Sequence, residues 1–321
     1  MRRILITGST GQIGSELTVE LRKRFGGENV IATGHKRKPT GELLTSGPFE
    51  FLDLSKEAEI AALLRRHDIG SIYHLAAILS ATGEDHPITA WNVNVGSLVN
   101  VLEAARKEKV DHIFWPSSIG VFGPSSPRVR TPQETVLNPT TMYGVTKVSG
   151  ELLCSYYFRK YGLDVRSVRY PGIISSEKPP GGGTSDYAVA IFYDAIRFGR
   201  YKCFVRKDTV LPMMYMPDCI DATIGIMMAD ANQVRRHDAY NVSGMSFSAG
   251  ELADEIARYI PGFECTYEPD RRQKIADSWP MSLDDSAAVN DWGWRPKHDI
   301  HSMTEDMVQR LKARLSGMAK G

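Results

Sequence analysis

The chain has 321 residues, about twice the usual length of one domain, so one large α/β unit or two coupled lobes are expected. Its 39 Lys and Arg residues nearly balance 38 Asp and Glu residues, and the formal net charge of +1 argues against a dedicated nucleic-acid-binding protein. No apolar run approaches the roughly 20 residues that a membrane-spanning helix needs, so no membrane association is expected.

Short strand patterns alternate with helical patterns through the first half of the chain. In chain order the residues predict a strand at 4–6, a helix at 12–25, a strand at 30–33, a helix at 56–66, a strand at 72–75, a helix at 88–107, a strand at 112–115, a helix at 143–161 and a strand at 165–169. Because strands and helices alternate, the pattern predicts an α/β fold with a doubly wound parallel sheet.

The pattern changes after Pro171, since the Pro and Gly residues of 179–183 cannot form a regular element and predict a loop. Beyond it, helices are predicted at 187–197, 217–228, 249–259 and 300–315, and strands at 201–205, 239–242 and 265–267. We therefore predict a dinucleotide-binding domain at 1–175, to which a segment near 206–244 returns. A smaller, discontinuous α/β substrate-binding lobe is predicted at 176–205 and 245–321.

The first strand-to-helix turn contains three spaced glycines, Gly8, Gly11 and Gly14. Backbone N–H groups at such a turn can bind a diphosphate. Gly8 permits the tight turn, Gly11 lets the diphosphate approach, and Gly14 lets the helix pack on the strand. The position of these glycines in an alternating chain predicts a Rossmann-like dinucleotide site.

The second predicted strand ends near Gly34, where dinucleotide sites usually have an acidic residue that holds the adenosine ribose. Four basic residues follow instead: His35, Lys36, Arg37 and Lys38. This cluster could bind a 2′-phosphate, backbone groups could hold the ribose hydroxyls, or the cluster could be a solvated surface turn. The residues alone leave these alternatives open.

Tyr143 and Lys147 are one turn apart on a predicted helix, so both side chains lie on one face. A nearby ammonium group favours the phenolate form of tyrosine and lowers its pKa, which would make Tyr143 a usable base. Ser118 follows the strand that ends near Pro116, at the carboxyl end of the sheet, where such folds bind ligands. These three residues are the predicted catalytic groups.

Several motifs together resemble the extended short-chain dehydrogenase/reductase family. They are Thr7-Gly8-x-x-Gly11-x-x-Gly14, His74-Leu75-Ala76-Ala77, Asn94, Ser118, Tyr143-x-x-x-Lys147, Asp285-Ser286 and the residues 292–296. Within that family, the strings at 79–84, 169–175, 180–189 and 278–281 look like L-threonine 3-dehydrogenases of the short-chain type. The sequence departs from that pattern at Gly34, where those enzymes have an Asp.

The resemblance implies oxidation of the 3-hydroxyl of L-threonine to 2-amino-3-ketobutyrate, with hydride transfer to NAD; NADP is not excluded. The resemblance implies that Tyr143 is the base, and that Lys147 lowers the pKa of Tyr143 and holds the nicotinamide ribose. It also implies that Ser118 positions the substrate hydroxyl and that Asn94 steadies a relay water. The implied substrate-binding residues are Ser80, Ser118, Tyr143, Gly182, Gly183, Thr184 and Trp279. The implied cofactor-binding residues are Gly8, Gly11, Gln12, Ile13, Gly14, Gly34, His35, Asp53, Leu54, Leu75, Ala76, Ala77, Asn94, Tyr143, Lys147, Tyr170, Gly172 and Ile173.

Two other functions share these motifs. A nucleotide-sugar epimerase or dehydratase has the same fold and the same Tyr and Lys, and a non-catalytic dinucleotide sensor could be built on the same scaffold. No metal site is predicted, because the histidines and cysteines lack metal-ligand spacing. The stretch Ile4-Leu5-Ile6 is too short for a signal peptide, so the default expectation is a cytoplasmic protein, or a mitochondrial matrix protein if the source is eukaryotic.

The resemblance also implies a homodimer, joined through the helices predicted at 88–107 and 143–161. Both helices have more apolar residues than one buried face needs. These residues are Trp91, Val95, Val99, Leu152, Tyr156 and Tyr157.

Overall fold

The computed structural model describes residues 2–318. The strands are β1 (Arg3–Thr7), β2 (Val30–Gly34), β3 (Phe49–Phe51), β4 (Ile69–His74), β5 (His112–Phe114), β6 (Ser117–Ser118), β7 (Asp164–Arg166), β8 (Val168–Tyr170), β9 (Gly172–Ile174), β10 (Arg200–Cys203), β11 (Val210–Tyr215), β12 (Tyr240–Asn241), β13 (Met245–Ser248) and β14 (Glu264–Tyr267).

The helices alternate with these strands through the first half of the chain. They are α1 (Gln12–Phe25), α2 (Glu42–Thr45), α3 (Glu57–His67), α4 (Ser80–Asp85), α5 (Pro87–Trp91), α6 (Ser97–Lys107), α7 (Met142–Tyr161), α8 (Tyr187–Phe198), α9 (Met216–Met228), α10 (Ala249–Tyr259), α11 (Arg272–Asp277), α12 (Ser286–Trp292) and α13 (Ile300–Met318). No helix within residues 2–318 is long and apolar enough to cross a membrane.

Six parallel strands form the central sheet, in the order β3-β2-β1-β4-β5-β7. The apolar side chains of β1, Ile4 to Ile6, are almost fully buried. Helices cover both faces of the sheet: one core contains side chains of α3, α6 and α7, and another contains side chains of α1 and α9. The predicted doubly wound α/β fold is therefore confirmed.

Three smaller sheets lie beyond the central one. Their strand orders are β12-β8-β6, β13-β11-β9 and β10-β14. A third core joins α8, α10 and α13 to side chains from β10, β11 and β13. The division into a dinucleotide-binding domain ending at residue 175 and a discontinuous lobe stays a prediction.

Three expectations from the sequence differ from the structure. The helix expected at 88–107 is interrupted by a π-helical segment, Asn92–Gly96, between α5 and α6. The strand expected at 165–169 is divided, because β7 pairs in the central sheet while β8 pairs with β6 and β12. Of the residues expected to be spare for an interface, Val95 and Tyr157 are buried.

Candidate active site

The glycine turn joins β1 to α1 and lies at the carboxyl edge of the central sheet. Gly8 has a φ of +69°, a conformation that L side chains rarely adopt, and a Cβ there would lie 2.7 Å from the backbone nitrogen of Ala76. A Cβ at Gly14 would lie 2.2 Å from the carbonyl oxygen of Gly8. The first glycine is thus required by the turn, and the third by the packing of the helix against it.

Two cavities adjoin this turn and share four residues in their walls: Gly8, Gly11, Leu75 and Ala77. The inner cavity, which contains Tyr143, has a volume of about 230 Å³. The outer cavity, which contains His35, has a volume of about 540 Å³. Two cavities that share wall residues at a glycine turn suit an elongated dinucleotide, whose diphosphate would lie at the turn with one nucleoside in each cavity.

The inner cavity is lined by most of the predicted catalytic, substrate and nicotinamide-side residues. These are Gly8, Gly11, Gln12, Ile13, Gly14, Leu75, Ala77, Ser80, Ser118, Tyr143, Lys147, Tyr170, Gly172, Ile173, Gly183, Thr184 and Trp279. The outer cavity is lined by the remaining predicted cofactor residues except Asn94: Gly34, His35, Asp53, Leu54 and Ala76, together with Gly8, Gly11, Leu75 and Ala77.

The N-terminal half of α7 presents Tyr143 and Lys147 to the inner cavity. The helix begins after Thr141, whose hydroxyl accepts a hydrogen bond from the Gly144 amide at 3.1 Å, so the first turn is fixed. Ser118 ends β6, and its hydroxyl accepts a hydrogen bond from the Gly120 amide at 3.1 Å. Helix cap and strand end therefore bring the three groups together.

Burial controls the ionisation of this group. It raises the pKa of Tyr143, and the nearby Ser118 hydroxyl offsets only part of this rise. Burial lowers the pKa of Lys147 to about 8. The lysine Nζ donates to the carbonyl oxygen of Pro116 at 2.6 Å and lies 5.5 Å from the centre of the Tyr143 ring. Ser118 thus lies beside the tyrosine hydroxyl, and the role of Lys147 in lowering the tyrosine pKa stays a prediction.

Asn94 and Gly182 are the two predicted site residues that line neither cavity. The Asn94 side chain is bound to the backbone of Ile78, accepting from its N–H at 2.7 Å and donating to its carbonyl at 3.1 Å. Its amide also donates to Thr146 at 3.1 Å. Both amide hydrogens are therefore used in holding the loop after β4 against α7, and the water-relay role of Asn94 stays a prediction.

At the other end of the inner cavity, the hydroxyl groups of Ser80 and Thr184 lie 3.2 Å apart. Asp186 also lines this end. One of its carboxylate oxygens, Oδ2, accepts three backbone hydrogen bonds, from the amides of Gly181, Gly182 and Gly183, each at 2.8 Å. Sequence reasoning missed Asp186. The only available signal was an acidic residue three positions after the last glycine of a run, and the loop conformation that gives it three amides cannot be read from composition.

Lys178 is a second residue that the sequence did not single out. Its Nζ donates to the carbonyl oxygen of Thr10 at 2.5 Å, inside the glycine turn. The loop that follows β9 therefore places a positive charge beside the predicted diphosphate position.

The outer cavity has an acidic wall. Asp53 accepts hydrogen bonds from the amide and the hydroxyl of Ser55, which lower the pKa of its carboxyl. His35 lines this cavity, whereas Lys36, Arg37 and Lys38 are exposed and lie outside its wall. Among residues 2–318, no cluster of His, Cys, Asp and Glu could hold a metal ion.

Residues 4–243 match the model of the NAD dependent epimerase/dehydratase family. The chain belongs to this family. An uncharacterised epimerase/dehydratase from Staphylococcus haemolyticus is 48% identical to it over 313 residues, which are 97% of this chain and 98% of that protein. The resemblance to the extended short-chain dehydrogenase/reductases is confirmed, and the cofactor of this family is a nicotinamide dinucleotide.

Solved structures that resemble the chain include L-threonine dehydrogenases. A GalE-like L-threonine dehydrogenase from Cupriavidus necator, in its holo form, is 48% identical, with a TM-score of 0.94 over 96% of this chain and 99% of that one. L-threonine dehydrogenase from Clostridium difficile is 47% identical, with a TM-score of 0.95 over 98% of both chains. A monomeric L-threonine 3-dehydrogenase from a metagenome is 47% identical, with a TM-score of 0.93 over 97% of this chain and 99% of that one.

Proposed function

We propose that this protein oxidises the 3-hydroxyl group of L-threonine to give 2-amino-3-ketobutyrate, with NAD as the hydride acceptor. The observation that carries the proposal is the content of the inner cavity. Its wall contains an acid–base group formed by Ser118, Tyr143 and Lys147. The same wall contains the hydroxyl groups of Ser80 and Thr184 and the carboxylate of Asp186. The similarity to L-threonine dehydrogenases at 47–48% identity supports the same substrate.

In this proposal Tyr143 is the base. Its phenolic oxygen takes the proton from the substrate hydroxyl. The single O–H of Ser118 stabilises the charge on the phenolic oxygen before substrate binds, and is then donated to the substrate oxygen to hold it in place. Lys147 has one N–H committed to Pro116 and keeps two for the ribose hydroxyls beside the nicotinamide. A bound nicotinamide ring would accept the hydride from C3 of the substrate.

The polar groups at the far end of the cavity suit a zwitterionic amino acid. Ser80 and Thr184 offer hydroxyl donors for its carboxylate. Asp186 uses Oδ2 for the three glycine amides, and among residues 2–318 no donor reaches its Oδ1, which is therefore available to the substrate ammonium group. Trp279 closes the same cavity with an apolar surface and excludes water.

We propose NAD over NADP because of the charges around the outer cavity. The negative charge of Asp53 lies in its wall and would repel a 2′-phosphate. The residues that could bind that phosphate, Lys36, Arg37 and Lys38, are outside the wall. Backbone groups of Gly34 and His35 remain to hold the ribose hydroxyls.

The main rival function is a nucleotide-sugar epimerase or dehydratase. Such a substrate carries its own diphosphate and nucleoside, so it needs space well beyond that for an amino acid. The inner cavity of about 230 Å³ is lined by both the substrate groups and the nicotinamide-side residues, so its volume favours the small molecule.

One assay tests substrate and cofactor together: initial rates with L-threonine or UDP-sugars, each with NAD and with NADP. We expect oxidation of L-threonine only, with a kcat/KM for NAD at least about tenfold above that for NADP. Turnover of a UDP-sugar would favour the epimerase, and no turnover of any substrate would favour a dinucleotide sensor. A preference for NADP that disappears in a Lys36→Ala, Arg37→Ala double variant would contradict the assignment to NAD and identify the phosphate-binding residues.

A further inference from the structure

A buried ion pair lies directly behind the wall of the inner cavity. Arg169 of β8 donates two hydrogen bonds to Glu151 of α7, from Nε to Oε1 and from Nη2 to Oε2, each at 2.8 Å. Both side chains are only 3% exposed. Burial of two charges is costly, and an apolar pair of similar size is often as stable, so fold stability alone does not explain the pair.

The same carboxylate also holds the strand that ends in Ser118. The hydroxyl of Ser117 donates to Oε1 of Glu151 at 2.5 Å. Ser117 lies opposite Arg169 in the pairing of β6 with β8, and Ser118 lies opposite Tyr170. Glu151 therefore binds Ser117, the residue before Ser118, and also Arg169, which lies opposite Ser117 on the adjacent strand.

Glu151 lies on the catalytic face of α7. Tyr143, Lys147 and Glu151 follow each other at intervals of four residues, so their side chains lie along one side of the helix. Lys147 in turn donates to the carbonyl of Pro116, the residue before Ser117. Helix α7 is thus bonded to the chain at Pro116 and at Ser117, immediately before Ser118.

We propose that Glu151 is a positioning residue of this site, which fixes the Ser118 strand against the Tyr143 and Lys147 face of α7 through Ser117 and Arg169. This inference rests on the proposed oxidation reaction. A second consequence is electrostatic: the Glu151 charge favours the protonated form of Lys147 and opposes the effect of burial on the lysine pKa.

The other titratable groups around Lys147 do not supply that charge. The groups that face it are Tyr143, Glu151 and Cys154 on α7 and His74 at the end of β4, with Arg169 beyond Glu151. Burial lowers the pKa of His74 to about 3 and raises that of Cys154, so both are neutral near pH 7. Glu151 is accordingly the one carboxyl group in this set.

The test is Glu151→Gln, which keeps the shape of the side chain and removes its charge. Two measurements are made: kcat and KM for L-threonine across pH, and an NMR titration of the Lys147 amine without substrate or cofactor. We expect kcat to fall about tenfold or more with KM within about twofold. The Lys147 pKa and the alkaline limb of kcat should both move to lower pH, by about half a pH unit or more.

Asp164→Asn is the matched control. Asp164 and Arg166 form another ion pair, in which the arginine is buried. Both residues belong to β7, and neither lines the two cavities. Loss of this ion pair in Asp164→Asn should lower the melting temperature and leave the pH profile of kcat unchanged. If Glu151→Gln behaves like this control, Glu151 is only structural and the inference is wrong.

Ser117→Ala decides the question if Glu151→Gln does not fold, because it removes one hydrogen bond and leaves the ion pair intact. We expect a lower kcat with an unchanged KM for L-threonine; a wild-type kcat would overturn the inference. Absence of L-threonine oxidation in the wild-type protein would instead contradict the proposed function. The Lys147 titration needs no turnover and would still report on Glu151.

Discussion

Tyr143 is the side chain of the inner cavity whose proposed role depends on a single oxygen atom. Replacing it with Phe keeps the ring and removes the base, so we expect Tyr143→Phe to lower kcat about 10³-fold and to leave the Kd for NADH within about twofold. Steady-state kinetics and a fluorescence titration of NADH measure the two quantities. Tyr156→Phe is the control, because Tyr156 is an exposed tyrosine of the same helix whose hydroxyl contacts Lys160. A Tyr143→Phe variant with near-wild-type kcat would rule out Tyr143 as the base.

The pH dependence of the reaction depends on Ser118. A base must lose its own proton before it accepts another, so the rate rises with pH through the pKa of Tyr143. The Ser118 hydroxyl lowers that pKa. We expect Ser118→Ala to reduce kcat more than NADH affinity and to move the rising limb of the pH profile to higher pH. An unchanged limb would mean that Ser118 does not act on the tyrosine.

Sequence reasoning succeeded for residues whose chemistry is local in the chain. Tyr143 and Lys147 are one helical turn apart, so their side chains share a face wherever the helix lies. Asp186 was missed because its role depends on three amides that converge only in the folded loop. The bonds between the Asn94 side chain and the backbone of Ile78 were likewise not predictable, because the two residues meet only in the folded chain.

At the scale of elements, the segment 176–186 is the part of the site most dependent on backbone conformation. We propose that it closes over the bound amino acid. Gly182 has a φ of +98°, and a Cβ at Gly183 would lie 2.7 Å from Oδ1 of Asp186. We expect Gly182→Ala and Gly183→Ala each to raise the KM for L-threonine at least about fivefold, because the loop and Asp186 shift.

Gly181→Ala is the matched control for this loop. A Cβ there meets only Leu79, at an ordinary contact distance of 3.8 Å, and the residue has no positive φ. Its kcat and KM should remain close to wild type. Unchanged kinetics in the Gly182 and Gly183 variants would show that the loop does not close on the substrate.

Element types and most bounds could be predicted because hydrophobic periodicity marks them directly. Helix α7 and strand β1 are examples. The division of the expected strand at 165–169 into β7 and β8 was not predictable, since both pieces are short, extended and mixed in apolar and charged residues, and they differ in the strands with which they pair. Pairing partners are set by tertiary packing and leave no local pattern.

At the scale of the whole molecule, we predict a homodimer formed through α5 and α7. These helices expose seven large side chains, of which Ile88 is 70% and Leu152 64% exposed; the others are Trp91, Val145, Tyr156, Phe158 and Tyr161. Light scattering at micromolar concentration should give twice the chain mass, 35.7 kDa. Leu152→Glu should give a monomer, because a buried unpaired charge disfavours association.

Phe198→Glu is the control for this surface. Phe198 ends α8 and is also 64% exposed, yet lies on a different helix. The Phe198→Glu substitution should leave the dimer intact. A monomer mass for the wild-type protein would contradict the prediction, and one similar L-threonine 3-dehydrogenase is described as monomeric.

The π-helical segment Asn92–Gly96 makes the length of this stretch more important than its composition. An α-helix rotates by about 100° per residue, so deleting one residue between α5 and α6 would turn one helix by that angle relative to the other. Asn94 could then not reach Ile78 while Leu98 and Val101 kept their places in the core. Conservative replacements within 92–96 should therefore be tolerated far better than any single-residue insertion or deletion.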